Sequence, residues 1–198
     1  MIKVVHAKEV NMDVRKKISE VYIDGFGEHL NFFSKDRKKL ERALEHMFNL
    51  DVFYVALIDG EIAGITACTD GTVHSINHNK KELRKHLGWY KGTIANMVFK
   101  NQFQEFSGDV RNGAASVEFV ATAREHRGKG VATAILNHLL TLPQYKEYIL
   151  EGVADTNLAA IKLYEKLGYK EFKRTKQKHT RISGINYYLS MIYIKSAG

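Results

Sequence analysis

The sequence predicts an α/β chain folded as one domain over residues 1–198. It has a mixed, mostly antiparallel central sheet with one parallel pair beside a glycine-rich loop, helices on both faces, and an insertion at about 71–114. Residues 115–154 read strand, helix, strand, an order that implies a parallel pair joined by a right-handed crossover. The β-rich runs on either side read as hairpins, whose strands pair antiparallel. No Pro/Gly/Ser-rich linker divides the chain, and the one proline, Pro143 in TLPQY, marks a helix end instead of a domain boundary.

Taken in order, IKVVH at 2–6 reads as a strand. DVRKKISEVYID at 13–24 puts Val14, Ile18, Val21 and Tyr22 on one stripe and reads as a helix that Gly25 and Gly27 break. A second helix runs from about Lys35 to Asn49, with Leu40, Ala43, Leu44 and Met47 at helical spacing. VFYVALIDGEIAGITAC is a hairpin by its chemistry, because the Asp-Gly pair suits the positive backbone angles of a tight turn. Within 71–114, Leu83, Leu87, Tyr90, Ile94 and Met97 recur at the spacing of one helix face, a pattern that Gly88 and Gly92 weaken. AASVEFVATA is an apolar strand, followed by the glycine loop and a helix carrying Val131, Ile135, Leu136, Leu139 and Leu140. YILEGVAD and NLAAIKLYEKLG repeat the unit, with Gly168 placed to stop the helix, and YKEFKRTKQ and GINYYLSMIYIK close the chain as strands.

Composition narrows the function classes. The 44% hydrophobic and 11% aromatic content suffices for a sizeable core. Cys68 is the single cysteine, so no intrachain disulfide forms; its run, IAGITAC, suits a buried core residue better than a reactive thiol. MIKVVHAKEV lacks the apolar region and cleavage site of a signal peptide, and no segment approaches about 18 consecutive apolar residues. A soluble cytoplasmic protein without a membrane partner is expected. The formal charge of +8 favours anionic partners, among them a polyanionic cofactor, but the basic residues are dispersed, which argues against nucleic acid. His74 and His78 have the spacing of helical metal ligands, yet HSINH lacks the glutamate of a zinc protease and a third ligand, so no metal is expected.

The stretch HRGKGVATAILNHLL carries the most chemistry. Between strand and helix it leaves several backbone N–H groups unpaired where the helix macrodipole is positive, an arrangement that attracts phosphate. Gly128 and Gly130 let the backbone approach a ligand closely, and Arg127 and Lys129 add charge. The Walker A pattern is absent, because Arg124 and Gly130 stand where that loop needs a glycine and a Ser/Thr around Lys129. The dinucleotide fingerprint fails as well, with Thr133 at its last small position. The loop alone therefore fits either a phosphate cradle or a plain basic turn.

FVATAREHRGKGVATAIL resembles the acetyl-coenzyme A loop of the GNAT superfamily of N-acetyltransferases, Arg/Gln-x-x-Gly-x-Gly/Ala after a β-strand, with Arg127, Gly130 and Ala132 in register. NLAAIKLYEKLGYKEF resembles the following element of that superfamily, Asn-x-x-Ala-x-x-x-Tyr-x-x-x-Gly-Tyr/Phe, through Asn157, Ala160, Tyr164, Gly168 and Tyr169. The resemblance is direct over about 115–172, and the order of the two matches makes it specific.

The resemblance implies that an acetyl group passes directly from acetyl-coenzyme A to an amine. It implies that the amides of Gly128, Lys129, Gly130, Val131, Ala132 and Thr133 hold the pyrophosphate, with Arg127 beside them. The backbone of Val120, Ala121 and Thr122 would pair with the pantetheine arm like an added strand. Asn157 carries over as a coenzyme-binding residue, compatible with its reading as an N-cap. Tyr164 carries over as the acid that protonates the departing thiolate, against a bland reading as a core residue beside Ala160 and Leu167. An alkylamine with a pKa around 10 must lose a proton before attack. Glu118, on the strand before the loop, is the first candidate base and Glu151 the second, with an ordinary cross-strand role open for both.

The acceptor is not legible: small amine, antibiotic, peptide amino terminus and protein lysine all fit. Phe26, Phe32 and Phe33 in GFGEHLNFF lie where the superfamily shapes its acceptor site, though core packing explains them equally. The apolar face of 71–114 could cover that pocket, make a homodimer contact or extend the core. Two rival readings remain at this level: a catalytically silent acetyl-coenzyme A sensor and a basic nucleic-acid- or ribosome-binding module.

Overall fold

The computed structural model of the chain describes residues 1–104, 113–177, 180 and 184–196. Thirteen regular elements, apart from short 3-10 turns, are present among them. In order they are β1 (Ile2–His6), α1 (Val14–Phe26), α2 (Arg37–Leu44), β2 (Phe53–Ile58), β3 (Glu61–Thr69), α3 (Lys80–Leu87), α4 (Trp89–Gln104), β4 (Ala114–Thr122), α5 (Val131–Leu140), β5 (Glu147–Ala154), α6 (Leu158–Lys166), β6 (Lys170–Lys176) and β7 (Tyr187–Ile194). The seven strands form one sheet in the order β1-β2-β3-β4-β5-β7-β6. Only β4 and β5 run parallel. This is the mixed, mostly antiparallel sheet expected from the alternation of motifs. No helix among the described residues is long and apolar enough to cross a membrane.

The hairpin at Asp59-Gly60 forms as its chemistry requires, both residues taking positive φ (50° and 86°), which matches the turn to the twist of β2 and β3. Helices cover both faces. α1 to α4 lie over one face, where Ile18, Leu44, Phe53, Ile65 and Leu83 are almost wholly buried in one apolar cluster. α5 and α6 cover the other, where Leu136, Leu139, Tyr148 and Met191 are equally enclosed. Each such aliphatic side chain contributes about 2 kcal/mol by leaving water.

Two expectations fail for identifiable reasons. α1 is not broken at Gly25 but continues to Phe26. A β-carbon at Gly25 would lie 2.9 Å from that of Ala121, so this glycine lets α1 approach β4 closely. The proposed single face from Leu83 to Met97 is also wrong. Gly88, at φ 85°, ends α3 and starts α4 in a new direction. Leu83 and Leu87 are buried, whereas Tyr90 and Met97 are 66% and 56% exposed. α4 instead buries Gly92, Ala95 and Phe99, and Gly92 sits so near Arg84 that a β-carbon would come within 2.6 Å of its backbone. The last part of the expected insertion, residues 105–112, lies outside the described residues.

Candidate active site

The site begins with a change of register in β4. Ala67 opposes Glu118 and Ile65 opposes Ala121, so Thr66 alone faces both Phe119 and Val120. This is a β-bulge, which bends a strand and re-aims its groups. Phe119 takes φ 55°, a left-handed conformation that costs a bulky residue of order 1–3 kcal/mol. The surroundings hold it there: the Phe119 ring packs on Tyr22, Phe26 and Phe53 at centroid distances of 5.5, 6.2 and 6.3 Å. The buried Thr66 hydroxyl donates to the Glu118 carbonyl at 2.9 Å, stitching the bulge to β3.

On its other side β4 parts from β5. Parallel pairing covers only Ala114–Glu147, Ala115–Tyr148 and Ser116–Ile149. β5 has its own irregularity just beyond, between Leu150 and Val153, where Gly152 takes φ 68°. From Val117 onward, no pairing of β4 with β5 is present among the described residues. A strand that leaves its neighbour can take an extended ligand along that edge. Val120, Ala121 and Thr122 lie along this segment.

The glycine loop follows directly. Gly128 and Gly130 have φ 77° and 81°, accessible to glycine at little cost. Gly130 is the N-cap of α5 and supplies no side-chain cap; the first helical bond runs from the Ala134 N–H to the Gly130 carbonyl at 2.9 Å. The N–H groups of Val131, Ala132 and Thr133 therefore precede the helical ladder, at the positive end of the dipole. Open space surrounds the α-carbons of Gly128 and Gly130, consistent with a cradle that a ligand can approach. Gly64 seats this helix: a β-carbon there would lie 2.4 Å from Val131 Cγ1. The residues thus fit a pyrophosphate group on a pantetheine-like arm.

Glu118 and Tyr164 lie on opposite faces. Ala115 and Val117 belong to the cluster under α5 and α6, so the alternation of a strand turns Ser116 and Glu118 to the α1–α4 face. There the Glu118 carboxylate accepts from the Ser75 hydroxyl at one oxygen and from Ser116 Oγ, 3.0 Å away, at the other. Two hydroxyl donors fix its direction. Glu151 is exposed at the irregular stretch of β5. Tyr164 is buried on the other face, in the cluster that also holds Val117 and Val120. Among the described residues its hydroxyl has no hydrogen-bond partner, and burial pushes its pKa up to about 12. Asn157 caps α6, its side-chain oxygen accepting from the Ala160 N–H at 3.2 Å. Burial, then the negative charges of Glu118 and Asp70, raise the Cys68 thiol to about 12, which leaves it unreactive.

Arg127 reaches the end of α1, where its guanidinium donates to the backbone carbonyl of Asp24 at 2.6 Å. The exposed Lys129 reaches His126 Nδ1 at 3.5 Å. Beside the loop runs a cleft of about 460 Å³ lined by Lys17, Glu20, Asp24, Arg37, Arg124 and His126 among others. Its lysine and arginines are already paired, Lys17 with Glu20, Arg37 with Asp24 and Glu41, and Arg124 with Asp24. Of these pairs, that of Arg124 with Asp24 joins the turn before the loop to α1.

Sequence reasoning missed Asp24, Thr66, Ser75, Ser116 and Phe119. All but Ser116, which lies two residues from Glu118, act through a partner far along the chain, which leaves no local pattern to read. No group of three or more His, Cys, Asp or Glu able to hold a metal occurs among the described residues.

Residues 17–169 match the model of the acetyltransferase (GNAT) family. The structure is similar to that of PH1933 from Pyrococcus horikoshii OT3, with a TM-score of 0.62 at 17% identity and all of both chains covered. It is also similar to a GNAT-family acetyltransferase from Bacillus cereus ATCC 10987 (TM-score 0.59, 12% identity, 100% of this chain and 99% of the other). A third similar structure is the ribosomal-protein-S18-alanine N-acetyltransferase of Escherichia coli (0.56, 15%, 100% and 97%). At these identities the likeness is one of fold. No curated protein matches the chain at the same stringency.

Proposed function

The chain belongs to the acetyltransferase (GNAT) family, and from that premise we propose that it transfers the acetyl group of acetyl-coenzyme A directly to a primary amine. The observation that carries this reading is the break between β4 and β5 beside an uncapped helix start. In the same reading residues 1–198 are one acetyltransferase domain with 71–114 as an insertion.

Gly128 to Thr133 hold the pyrophosphate through backbone N–H groups, with Lys129 and Asn157 at the margin. The free edge of β4 at Val120, Ala121 and Thr122 takes the pantetheine arm, so the thioester lies in the gap between the strands. Glu118, oriented by Ser75 and Ser116, takes a proton from the ammonium form of the acceptor. The amine nitrogen then bonds to the acetyl carbon as the C–S bond breaks, and the second proton of the nitrogen passes to water to leave the neutral amide. An N–H aimed at the gap stabilises the carbonyl oxygen as it gains charge. Tyr164 protonates the thiolate: with its pKa near 12 it remains a proton donor at neutral pH, and a thiolate whose acid has a pKa of about 8.5 needs only modest help. Acid and base approach from opposite faces of the sheet.

Thiol release from acetyl-coenzyme A on addition of a panel of amines tests the proposal. Release that depends on one amine class supports it. Binding of coenzyme A without release for any amine would favour the silent sensor, and no binding at millimolar coenzyme would remove the donor assignment.

A further inference from the structure

Three arginines converge on Asp24. Its side chain is only 7% exposed, and Oδ1 lies 2.5 Å from a terminal nitrogen of Arg37 and 3.0 Å from Arg124 Nε. Oδ2 accepts from the backbone N–H of Arg124 at 3.1 Å, and the Asp24 carbonyl accepts from Arg127 at 2.6 Å. Arg37 is itself held by Glu41 at 2.6 Å and by the Glu20 carbonyl at 2.9 Å. Burial opposes its charge, but Asp24 and Glu41 more than offset this and raise its pKa. A chain of charge-assisted bonds thus runs from α2, through the end of α1, to both sides of the short turn at Arg124–His126 that leads into the glycine loop. Arg124, Arg127, Gly128, Lys129 and Gly130 are all exposed. The described contacts that fix the start of this segment are those to Asp24 and the bond from the Ala123 N–H to the Ala63 carbonyl at 2.9 Å.

We propose that Asp24 is a positioning residue for the coenzyme loop, acting through Arg124 and Arg127. It ties the loop's geometry to the segment between α1 and α2. The proposal rests on the coenzyme reading of that loop. It also gives Arg127 a role in bracing the cradle from behind, where the family pattern alone suggests direct contact with phosphate.

The test compares Asp24→Asn with the wild type. Coenzyme A affinity, measured by calorimetry, should weaken about tenfold, while kcat at saturating acetyl-coenzyme A stays within about twofold. Without any ligand, hydrogen exchange should accelerate at amides 124–133 and leave α5 beyond its first turn and the sheet unchanged. Arg124→Gln, on the exposed side of the clamp, should reproduce the weakening, and the double variant should add little to either single one. It serves alone if Asp24→Asn does not fold. Unchanged affinity in both variants, or faster exchange spread over the whole molecule, would overturn the clamp. Failure of the wild type to bind coenzyme A would instead strike the functional reading, while the ligand-free exchange would still decide the clamp.

Discussion

Residues 115–172, the proposed donor side of the molecule, and the side built by α1 to α4 were written in different ways. In the first, glycines and helix starts are local features, and each appears in the sequence at the place where the structure has it. Gly128 and Gly130 have the positive φ their identity allows, and Asn157 caps the helix it precedes. Over the other face, Tyr90 and Met97 show a helical repeat in the sequence and yet face outward, because Gly88 redirects the chain and α4 packs through Gly92, Ala95 and Phe99. A site made of backbone amides is specified by local conformation. A surface made by helix packing depends on directions that no short window contains.

This contrast can be broken or sharpened by substitution. Phe99→Ala, inside the packed face of α4, should cost about 4 kcal/mol in denaturant unfolding; a loss below about 1 kcal/mol would mean that α4 does not pack as described. Gly130→Glu should remove the stabilisation that acetyl-coenzyme A confers on the wild type, about 2.7 kcal/mol at a hundredfold excess over Kd, read as a lost shift in melting temperature. A retained shift would move the phosphates away from this loop.

Glu118→Gln should lower kcat/KM about a hundredfold with coenzyme affinity unchanged. Equal activity would pass the role of base to Glu151 or to water. Tyr164→Phe should reduce turnover about tenfold with binding intact. Because burial raises the Tyr164 pKa from 10 to about 12, the folded state holds its proton more tightly than the unfolded one. That contribution to stability is complete below about pH 10 and is lost as pH rises toward 12, so the phenylalanine variant should lose less stability over that window. The smallest effect belongs to the outer face of α4: Tyr90→Ser or Met97→Gln should change stability by less than about 0.5 kcal/mol.

Much of the fold was legible because its signals are local. The Asp59-Gly60 hairpin, the parallel unit around the glycine loop and the helix stop at Gly168 each rest on a few adjacent residues. The continuation of α1 through Gly25 was not legible, since it depends on Ala121 lying against that glycine. The site divides in the same way. The proposed cradle, Asn157 and Tyr164 were proposed from motif spacing and Glu118 from its strand, but the two hydroxyls that hold Glu118 come from Ser116 and from the distant Ser75.

By itself, then, the sequence determined the family and the local shape of the proposed donor site: a glycine turn between strand and helix, followed by a capped helix bearing a tyrosine. Backbone conformation and capping are short-range and follow residue identity. Only the tertiary structure decided how that turn is braced, where β4 leaves β5, and which side of α4 is hidden. Bulges, strand separation and the convergence of Arg37, Arg124 and Arg127 on Asp24 arise from contacts between segments far apart in the chain, whose free energy exists only once those segments are packed together.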